Sequence, residues 1–416
     1  DGIFPLSVED KKIDLFFENS IKKGNFYATY DPYAYSLADT IIVDINLDVQ
    51  KNVKDDNLLE SFDLDLTSFK SAISSIGENC KEDVLVLVET TVPPGTCSKV
   101  VAPILKTKLN DRGLNDSRVK IGHSYERVMP GPNYINSIKN FFRVYSGIND
   151  FSANHIENFL KTIVSTKNFP LTRLKGTNST EISKVLENSF RAMNISFIVE
   201  WTRFAEEAGV DIYEIIEAIR MRPTHKNIML PGIGVGGYCL TKDPLLASWS
   251  KTEIMNSPES LEMSELAVKT NDNMPLFAFN FLKNYFSGDA LKNKKVLMLG
   301  ASYAPDIGDT RYSPADLFFD LLKKEGCDIL VHDPFIKFWE EKDIEVENNF
   351  DLISSSLDII VISTGHSIYR NNSELINLLL EIDKVFIYDT IGVLCDEEIS
   401  TLSMKHHIKV IGRGDL

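Results

Sequence analysis

Several protein classes are excluded by what this sequence has little of. Its five cysteines, Cys80, Cys97, Cys239, Cys327 and Cys395, are odd in number and scattered, with no C-x-x-C pair. That excludes a disulfide-framed secreted scaffold and leads to the expectation of reduced thiols in a cytoplasmic setting. The seven histidines form neither H-x-x-x-H nor H-E-x-x-H, so no metal centre is expected. Lysines and arginines number 44 against 60 aspartates and glutamates, a net charge of -16. Such a chain lacks the basic face of a general nucleic-acid binder, although a local basic pocket for phosphates is compatible with it. No apolar run approaches the length of a membrane span, and the first residues show no signal-peptide pattern. Short-period repeats, low-complexity segments and heptad runs are also missing.

What is present reads as two α/β halves, and 416 residues are too many for one core. An amphipathic stretch around Ile13, Phe16, Phe17 and Ile21 ends at Gly24, and Phe26–Thr29 and Thr40–Ile45 are expected as short strands. Val84–Val88 is a continuous apolar run of the kind that forms a buried parallel strand. Pro94 then suits a first helical turn, and Val100, Val101, Ile104, Leu105 and Leu109 follow a helical spacing. Val119–Gly122 and Phe141–Gly147 are further strand segments. Ile182, Val185, Leu186, Phe190, Met193, Phe197 and Ile198 recur at three- and four-residue steps, which predicts a long helix from Ser179 to a stop at Gly209. Its apolar stripe is long enough to pair two chains. A second helical region covers Leu261 to about Phe286. Lys295–Gly300, Asp328–His332, Asp358–Ser363, Val385–Tyr388 and Ile408–Ile411 then alternate with helical segments. The expected fold class is α/β, with two doubly wound, Rossmann-like domains joined by a long central helical region. The expected boundaries are 1–170, 171–288 and 289–416.

Candidate chemistry concentrates in Pro231–Pro244, which reads P-G-I-G-V-G-G-Y-C-L-T-K-D-P. Gly232, Gly234, Gly236 and Gly237 leave a backbone with almost no Cβ cover, open to close approach by another molecule. Cys239 follows, with Lys242 and Asp243 three and four residues on, and a cation near a cysteine favours the nucleophilic thiolate. Gly232, Gly234 and Gly237 match G-x-G-x-x-G, but that fingerprint needs a strand before it and a helix after it. Pro231 and the short Ile228–Leu230 do not supply the strand, so no dinucleotide is expected at these glycines. Thr91 stands in the loop after Val84–Val88, where ligands bind in an open parallel sheet. Glu126 stands at a strand's carboxyl end, a position for a general base. Lys184 and Asn188, four apart on the long helix, project from one side and suit a developing oxyanion. Taken singly, each has a plainer reading as an inert buried cysteine, a surface glutamate or a wet helix face.

Five motifs together carry a resemblance. They are T-V-P-P-G-T (Thr91–Thr96), E-R-V-M-P-G (Glu126–Gly131), K-V-L-E-N (Lys184–Asn188), G-V-G-G-Y-C-L-T-K-D-P (Gly234–Pro244) and D-T-R-Y-S-P (Asp309–Pro314). In this order and spacing, over essentially the whole chain, they resemble the UDP-glucose/GDP-mannose dehydrogenases, the nucleotide-sugar 6-dehydrogenases. The resemblance implies oxidation of the C6 alcohol of a nucleotide sugar to the carboxylate with two NAD per turnover. It implies Cys239 as the nucleophile that forms a thiohemiacetal and then a thioester. Lys184 and Asn188 would stabilise the oxyanion and bind substrate, while Glu126, Thr91 and Asp243 would serve in positioning water and in proton transfer. It further implies substrate contacts at Arg127, His225, Gly236 and Tyr303, and cofactor contacts at Asn46, Thr91, Lys242 and Arg311. The partners implied are a UDP-sugar and a second copy of the chain, with neither nucleic acid nor membrane.

Three departures from the family pattern stand out. Gly2-Ile3-Phe4-Pro5 resembles a segment that lies downstream of the family's glycine-rich phosphate loop, so a chain starting at Asp1 is expected to bind NAD poorly. In the family's S-Y-K-P-D, Ala304 replaces a lysine, and in its D-G-R-N, Ile391 replaces an arginine. The E-R-V-M-P-G form is closer to the UDP-N-acetylhexosamine branch than to the UDP-glucose branch. UDP-glucose 6-dehydrogenase, a one-step NAD-linked hydroxyacid dehydrogenase and a non-catalytic nucleotide-sugar binder are the alternatives. The second has no use for a catalytic cysteine, and the third predicts binding without turnover.

Overall fold

The computed structural model describes residues 10–53, 59–128 and 133–416. The Met129–Gly131 part of E-R-V-M-P-G and the Gly2–Pro5 segment lie outside the described residues. The chain divides into two compact units, one of Asp1–Asn52, Ser61–Glu187 and Leu245–Leu261, the other of Val53–Glu60, Asn188–Pro244 and Glu262–Leu416.

In the first unit, β1 is Thr40–Val43, and β2 (Val49–Val53) and β3 (Leu59–Leu64) form a separate two-stranded ladder. Strands β4 (Leu85–Val88), β5 (Lys120–Tyr125), β6 (Val144–Gly147) and β7 (Thr172–Arg173) join β1 in a sheet of order β1-β4-β5-β6-β7. All four residues of β4 are buried, as its unbroken apolar run requires of a strand covered on both faces. Helix Asp150–Leu160 covers one face, setting Ala153, Ile156 and Leu160 against Leu85, Leu87 and Tyr145. Asn149 starts it by accepting from the Ser152 amide at 2.8 Å, as an N-cap should.

Two expectations change here. Phe26–Thr29 is not a strand; these residues are exposed, and Phe26 instead packs edge-on against Phe17 of helix Lys11–Lys22 at 5.4 Å. A β-former without a half-buried pleated surface has nothing to pair with. Strand β5 runs on past Gly122 to Tyr125, because it pairs antiparallel with β6 through Ser124↔Tyr145 and Tyr125↔Val144. The sheet is therefore mixed, and β5 ends directly at Glu126.

The long helix spans Thr177–Ala208, and Gly209 at φ +71° closes it. Its apolar residues split between two faces. Val185, Ala192, Ile198, Val199 and Ala205 are buried, while Ile182, Leu186, Phe190, Phe197, Trp201 and Phe204 are exposed.

In the second unit, β8 (Lys295–Leu299), β9 (Asp328–His332), β12 (Ile359–Ile362), β13 (Phe386–Asp389) and β14 (His407–Val410) form a sheet of order β14-β13-β12-β8-β9, parallel throughout. Between β9 and β12, β10 (Phe338–Trp339) and β11 (Ile344–Glu345) make a small antiparallel ladder. Alternate residues of β8 point to opposite faces. Val296 and Met298 join Phe318 and Leu322 of helix Pro314–Lys324 and Phe279 and Leu282 of helix Met274–Tyr285. Leu297 and Leu299 join Leu375 and Leu379 of helix Ser373–Glu381 and Ile399 and Leu402 of helix Asp396–Ser403. Each fully buried Leu or Phe contributes about 1.5–3 kcal/mol, so this two-faced sheet is the chief store of apolar stabilisation in the unit. Strand order reverses between β8 and β12, which makes the crevice at their carboxyl ends the ligand position of an open α/β sheet.

His123 of β5 is fully buried, with Nδ1 2.9 Å from Thr180 Oγ1. Burial, only partly opposed by a hydrogen bond with the Thr90 backbone, pushes its imidazole down to about 3. An unfolded imidazole titrates near 6.5 and takes up the proton first. The stability gained by keeping His123 neutral is therefore full above about pH 6.5 and is lost as pH falls from there towards the folded value. Urea midpoints at pH 7.5 and pH 5.0 are expected to drop more for the wild type than for His123→Gln. Equal drops would remove His123 as the source.

Candidate functional site

In the first unit the polar side chains gather at the carboxyl edge of the sheet. Register Val43↔Val88 puts the ends of β1 and β4 side by side, so the loops starting at Asp44 and Glu89 emerge together. Asn46 is exposed in the first loop and Thr91 half-buried in the second. Glu89 pairs with Arg143 at 2.9 Å, both largely buried. Burial pushes its carboxyl upward, against the pull of Arg143. Glu126 follows β5; its carboxylate accepts from the Val128 amide, and its carbonyl accepts from Lys184 Nζ at 3.3 Å. Lys184 Nζ also lies 5.4 Å from the centre of the Tyr125 ring. Arg127 is held by the protein, donating to Glu187 at 3.0–3.2 Å, to the Phe142 carbonyl at 2.9 Å and to the Tyr125 hydroxyl at 3.1 Å.

In the second unit the glycine-rich stretch is a turn. No strand precedes it, as Ile228–Leu230 is irregular. Its tip is pressed against the loop after β8. A Cβ on Gly236 would lie 2.6 Å from Tyr303 Cβ and 2.7 Å from the Tyr312 carbonyl oxygen. Gly237, at φ +77°, would meet Tyr303 Cε2 at 2.6 Å. Cys239 sits beyond this contact, exposed and in no disulfide. Its carbonyl accepts from the Asp243 amide at 2.9 Å, which turns the chain into helix Asp243–Trp249.

The side chains after the cysteine pair with one another. Asp243 is fully buried and accepts from Asn188 Nδ2 at 2.6 Å and from Lys242 Nζ at 3.0 Å. Lys242 Nζ also lies 4.7 Å from the centre of the Tyr238 ring. Its cation is thus directed to a carboxylate and a π face. Burial pushes the Tyr303 phenol upward, with Asp309 and Cys239 adding to the shift. Arg311 is exposed and forked onto Asp309 at 2.9 and 2.7 Å, and His225 is exposed with Nδ1 2.9 Å from Thr224 Oγ1.

Three buried carboxylates were missed in the sequence. Glu181 accepts from the amides of Gly95 at 2.6 Å and Cys97 at 2.8 Å. Asp333, at the end of β9, accepts from the Ala301 and Ser302 amides, the Ser302 hydroxyl, the Phe335 amide and His366 Nε2, all at 2.9–3.0 Å. Burial pushes Asp333 up, but His366 and the amide donors outweigh it and hold the carboxyl below its usual value. Asp389 accepts from the amides of Ile391, Gly392, Val393 and Leu394 at 2.6–3.0 Å. The one sequence signal is position, since Asp333 and Asp389 end or follow strands and Glu181 lies one turn before Lys184. Asp333 thus fixes the start of the loop after β8, whose first amides donate to it.

A scaffold of this kind, with a mixed sheet in one unit, a parallel sheet in the other and a cysteine on a glycine turn, matches those of solved nucleotide-sugar dehydrogenases. The chain belongs to the UDP-glucose/GDP-mannose dehydrogenase family. It matches the NAD binding domain over residues 5–163, the central domain over 178–273 and the UDP binding domain over 297–396. It is similar to the UDP-N-acetyl-D-mannosamine dehydrogenase of Methanocaldococcus jannaschii, 30% identical over 353 residues, covering 84% of this chain and 75% of that one. Among solved structures, UDP-D-ManNAc dehydrogenase from Pyrococcus horikoshii has a TM-score of 0.81 at 25% identity, covering 100% of this chain and 90% of that one. NDP-N-acetyl-D-galactosaminuronic acid dehydrogenase from Methanosarcina mazei Go1 has a TM-score of 0.79 at 25% identity, covering 100% and 86%.

The protein is therefore an NAD-dependent nucleotide-sugar dehydrogenase with a UDP-sugar binding domain. The residues at the ends of β1 and β4 fit the cofactor, since adjacent parallel strands open there onto the exposed Asn46 amide and the half-buried Thr91 hydroxyl.

Gly237 gives the site a stability test. An alanine there would place a side chain at positive φ and against Tyr303. Gly237→Ala is expected to lose about 1–3 kcal/mol in urea unfolding. An unchanged midpoint would show that the turn yields freely.

Proposed function

We propose that this protein oxidises the C6 hydroxyl of a UDP-N-acetylhexosamine to the uronic acid, through a thiohemiacetal and a thioester on Cys239. The single observation that carries this reading is an exposed thiol at the end of a glycine turn whose path is fixed by Tyr303 and whose next side chains pair among themselves. The names of the relatives, which include UDP-N-acetyl-D-mannosamine and NDP-N-acetyl-D-galactosaminuronic acid dehydrogenases, favour an N-acetylhexosamine over glucose.

Bound NAD supplies the hydride acceptor in both oxidation steps. The first oxidation turns the alcohol into the aldehyde, releasing a hydride and a proton. The Cys239 thiolate then adds to the aldehyde carbon, forming a C–S bond and placing negative charge on oxygen. Lys184 and Asn188 supply donors for that oxygen. Loss of the C–H of this oxyanion adduct as hydride re-forms the C=O and gives the thioester. Water attacks its carbonyl, the C–S bond breaks, and the thiol regains a proton. Glu126, Thr91 and Asp243 position the water and move its protons. Arg127, His225, Gly236 and Tyr303 contact the substrate. Asn46, Thr91, Lys242 and Arg311 serve the cofactor.

The full-length protein, incubated with NAD and a panel of UDP-sugars, is expected to release two NADH per sugar with a UDP-N-acetylhexosamine. Cys239→Ser should abolish NADH release while the protein still melts as a folded species. Removing an oxyanion donor typically costs about a hundredfold to a thousandfold, so Lys184→Ala should lower kcat by that order. Near-full four-electron turnover by Cys239→Ser would sink the covalent route, and binding without turnover by the wild type would favour a non-catalytic homologue.

We also propose a homodimer through the long helix. Ile182, Leu186, Phe190, Phe197, Trp201 and Phe204 form an exposed stripe along one helix, with Trp201 5.9 Å from both Phe197 and Phe204. The stripe runs for roughly 33 Å at 1.5 Å per residue. A helix face this rich in exposed apolar side chains is covered most simply by a second copy about a two-fold axis, with Glu200 the charge it carries between Phe197 and Phe204. Sedimentation at micromolar concentration should give the dimer mass for the wild type and the monomer for Phe190→Glu/Trp201→Glu; a monomeric wild type would refute the pairing. A cytoplasmic setting is supported by cysteines that form no disulfide among the described residues. In that same set no helix is long and apolar enough to cross a membrane.

A further inference from the structure

Glu181 is fully buried, yet its carboxylate reaches 84 and 86 residues back along the chain to the loop after β4. Each oxygen takes one amide: Oε2 that of Gly95 at 2.6 Å, Oε1 that of Cys97 at 2.8 Å. These amides stand where the Thr91–Thr96 loop enters the helical stretch Cys97–Asp111 and would otherwise lack acceptors.

The same first turns of the long helix are fastened to the sheet at other points. Thr180 Oγ1 lies 2.9 Å from His123 Nδ1 and 2.7 Å from Ser146 Oγ. Ser183 Oγ lies 2.8 Å from the Tyr125 hydroxyl, and Asn178 Oδ1 accepts from Ser98 Oγ at 3.0 Å. Lys184, three residues after Glu181, reaches the Glu126 carbonyl at 3.3 Å. Thr180 and Ser183 tie the helix to β5 and β6. Glu181 and Asn178 tie it to the junction of the Thr91–Thr96 loop with the helical stretch, and of these two Glu181 is the fully buried one, its carboxyl pushed up by burial against the pull of the two amides.

We propose that Glu181 is a positioning residue: it locks the Thr91–Thr96 loop to the turn that carries Lys184, and so sets the spacing between the Thr91 hydroxyl and the Lys184 ammonium. It touches neither substrate nor cofactor. The role rests on the reading of Lys184 and Thr91 given under Proposed function. Glutamate suits the task because both its oxygens accept and neither donates, whereas glutamine would turn an N–H donor towards one of the two amides. Aspartate keeps the charge but is one methylene short of spanning both amides.

The test compares Glu181→Gln, Glu181→Asp, Lys184→Ala and Val101→Ala in the full-length enzyme, by kcat, KM for each substrate and melting temperature. Val101 is fully buried in the same helical segment, so its truncation makes a packing lesion that leaves both amide acceptors in place. Glu181→Gln is expected to lower kcat ten- to a hundredfold with KM for the UDP-sugar within about threefold, since misplacement of reacting groups acts on rate. Glu181→Asp should fall between Gln and wild type, and Val101→Ala should lower the melting temperature with kcat nearly unchanged. If Glu181→Gln keeps wild-type kcat while Lys184→Ala abolishes turnover, the positioning role alone is overturned. If Val101→Ala loses kcat in the same proportion to melting temperature, Glu181 is a structural residue only, and the proposal fails. Full turnover by Lys184→Ala would overturn both the site reading and this inference.

Discussion

Buried carboxylates that accept main-chain amides at the sheet edges decide where the ligand-facing loops run. Glu181 does this for the loop after β4 in the first unit, and Asp333 and Asp389 for the loops after β8 and β13 in the second. An ionised carboxylate out of water is costly unless it is bonded. These acceptors take from two to five donors; burial still pushes the carboxyls of Glu181 and Asp389 up, whereas at Asp333 the donors and His366 outweigh it. Sheet packing fixes the strands, whereas the carboxylates fix the places where strands stop.

The cysteine turn depends on a different constraint, the absence of side chains. Gly236 and Gly237 let main chain lie against Tyr303 closer than any Cβ would permit. The turn can therefore be rigid without a core of its own, and the thiol beyond it stays exposed while its neighbours Lys242 and Asp243 are buried. Lys242 and Asn188 both donate to the buried Asp243, and Lys242 also faces the Tyr238 ring.

The fold was legible where burial is strongest. Val84–Val88 and Lys295–Gly300 read as strands because a two-faced sheet accepts only unbroken apolar runs, and Ile182–Ile198 read as helix by its spacing. Phe26–Thr29 misled because β-forming side chains say nothing about whether a partner strand exists. The end of β5 was placed three residues early because His123, Ser124 and Tyr125 look polar in sequence, although all three are buried by contacts with Thr180, the Val144 carbonyl and Ser183. The candidate site was legible as motifs: in the first unit Lys184 reaches the Glu126 carbonyl, and in the second Asn188 and Lys242 pair with Asp243. The carboxylates that brace it were not, since an acceptor for main-chain amides leaves no mark on the sequence of the amides it binds.

This division of labour bears on the two positions where the chain departs from its family's pattern. The loop containing Ala304 starts from amides held by Asp333, and Ile391 gives its own amide to Asp389. In both, the path of the loop is set through the main chain, which every residue except proline can supply. Ile391 packs on both apolar clusters of the second unit, and its Cγ2 would lie 2.9 Å from a Cβ on Gly365. Its side chain is thus a packing element and not a truncated arm. Where backbone bonds carry the loop, side chains can change from charged to apolar while the loop keeps its place.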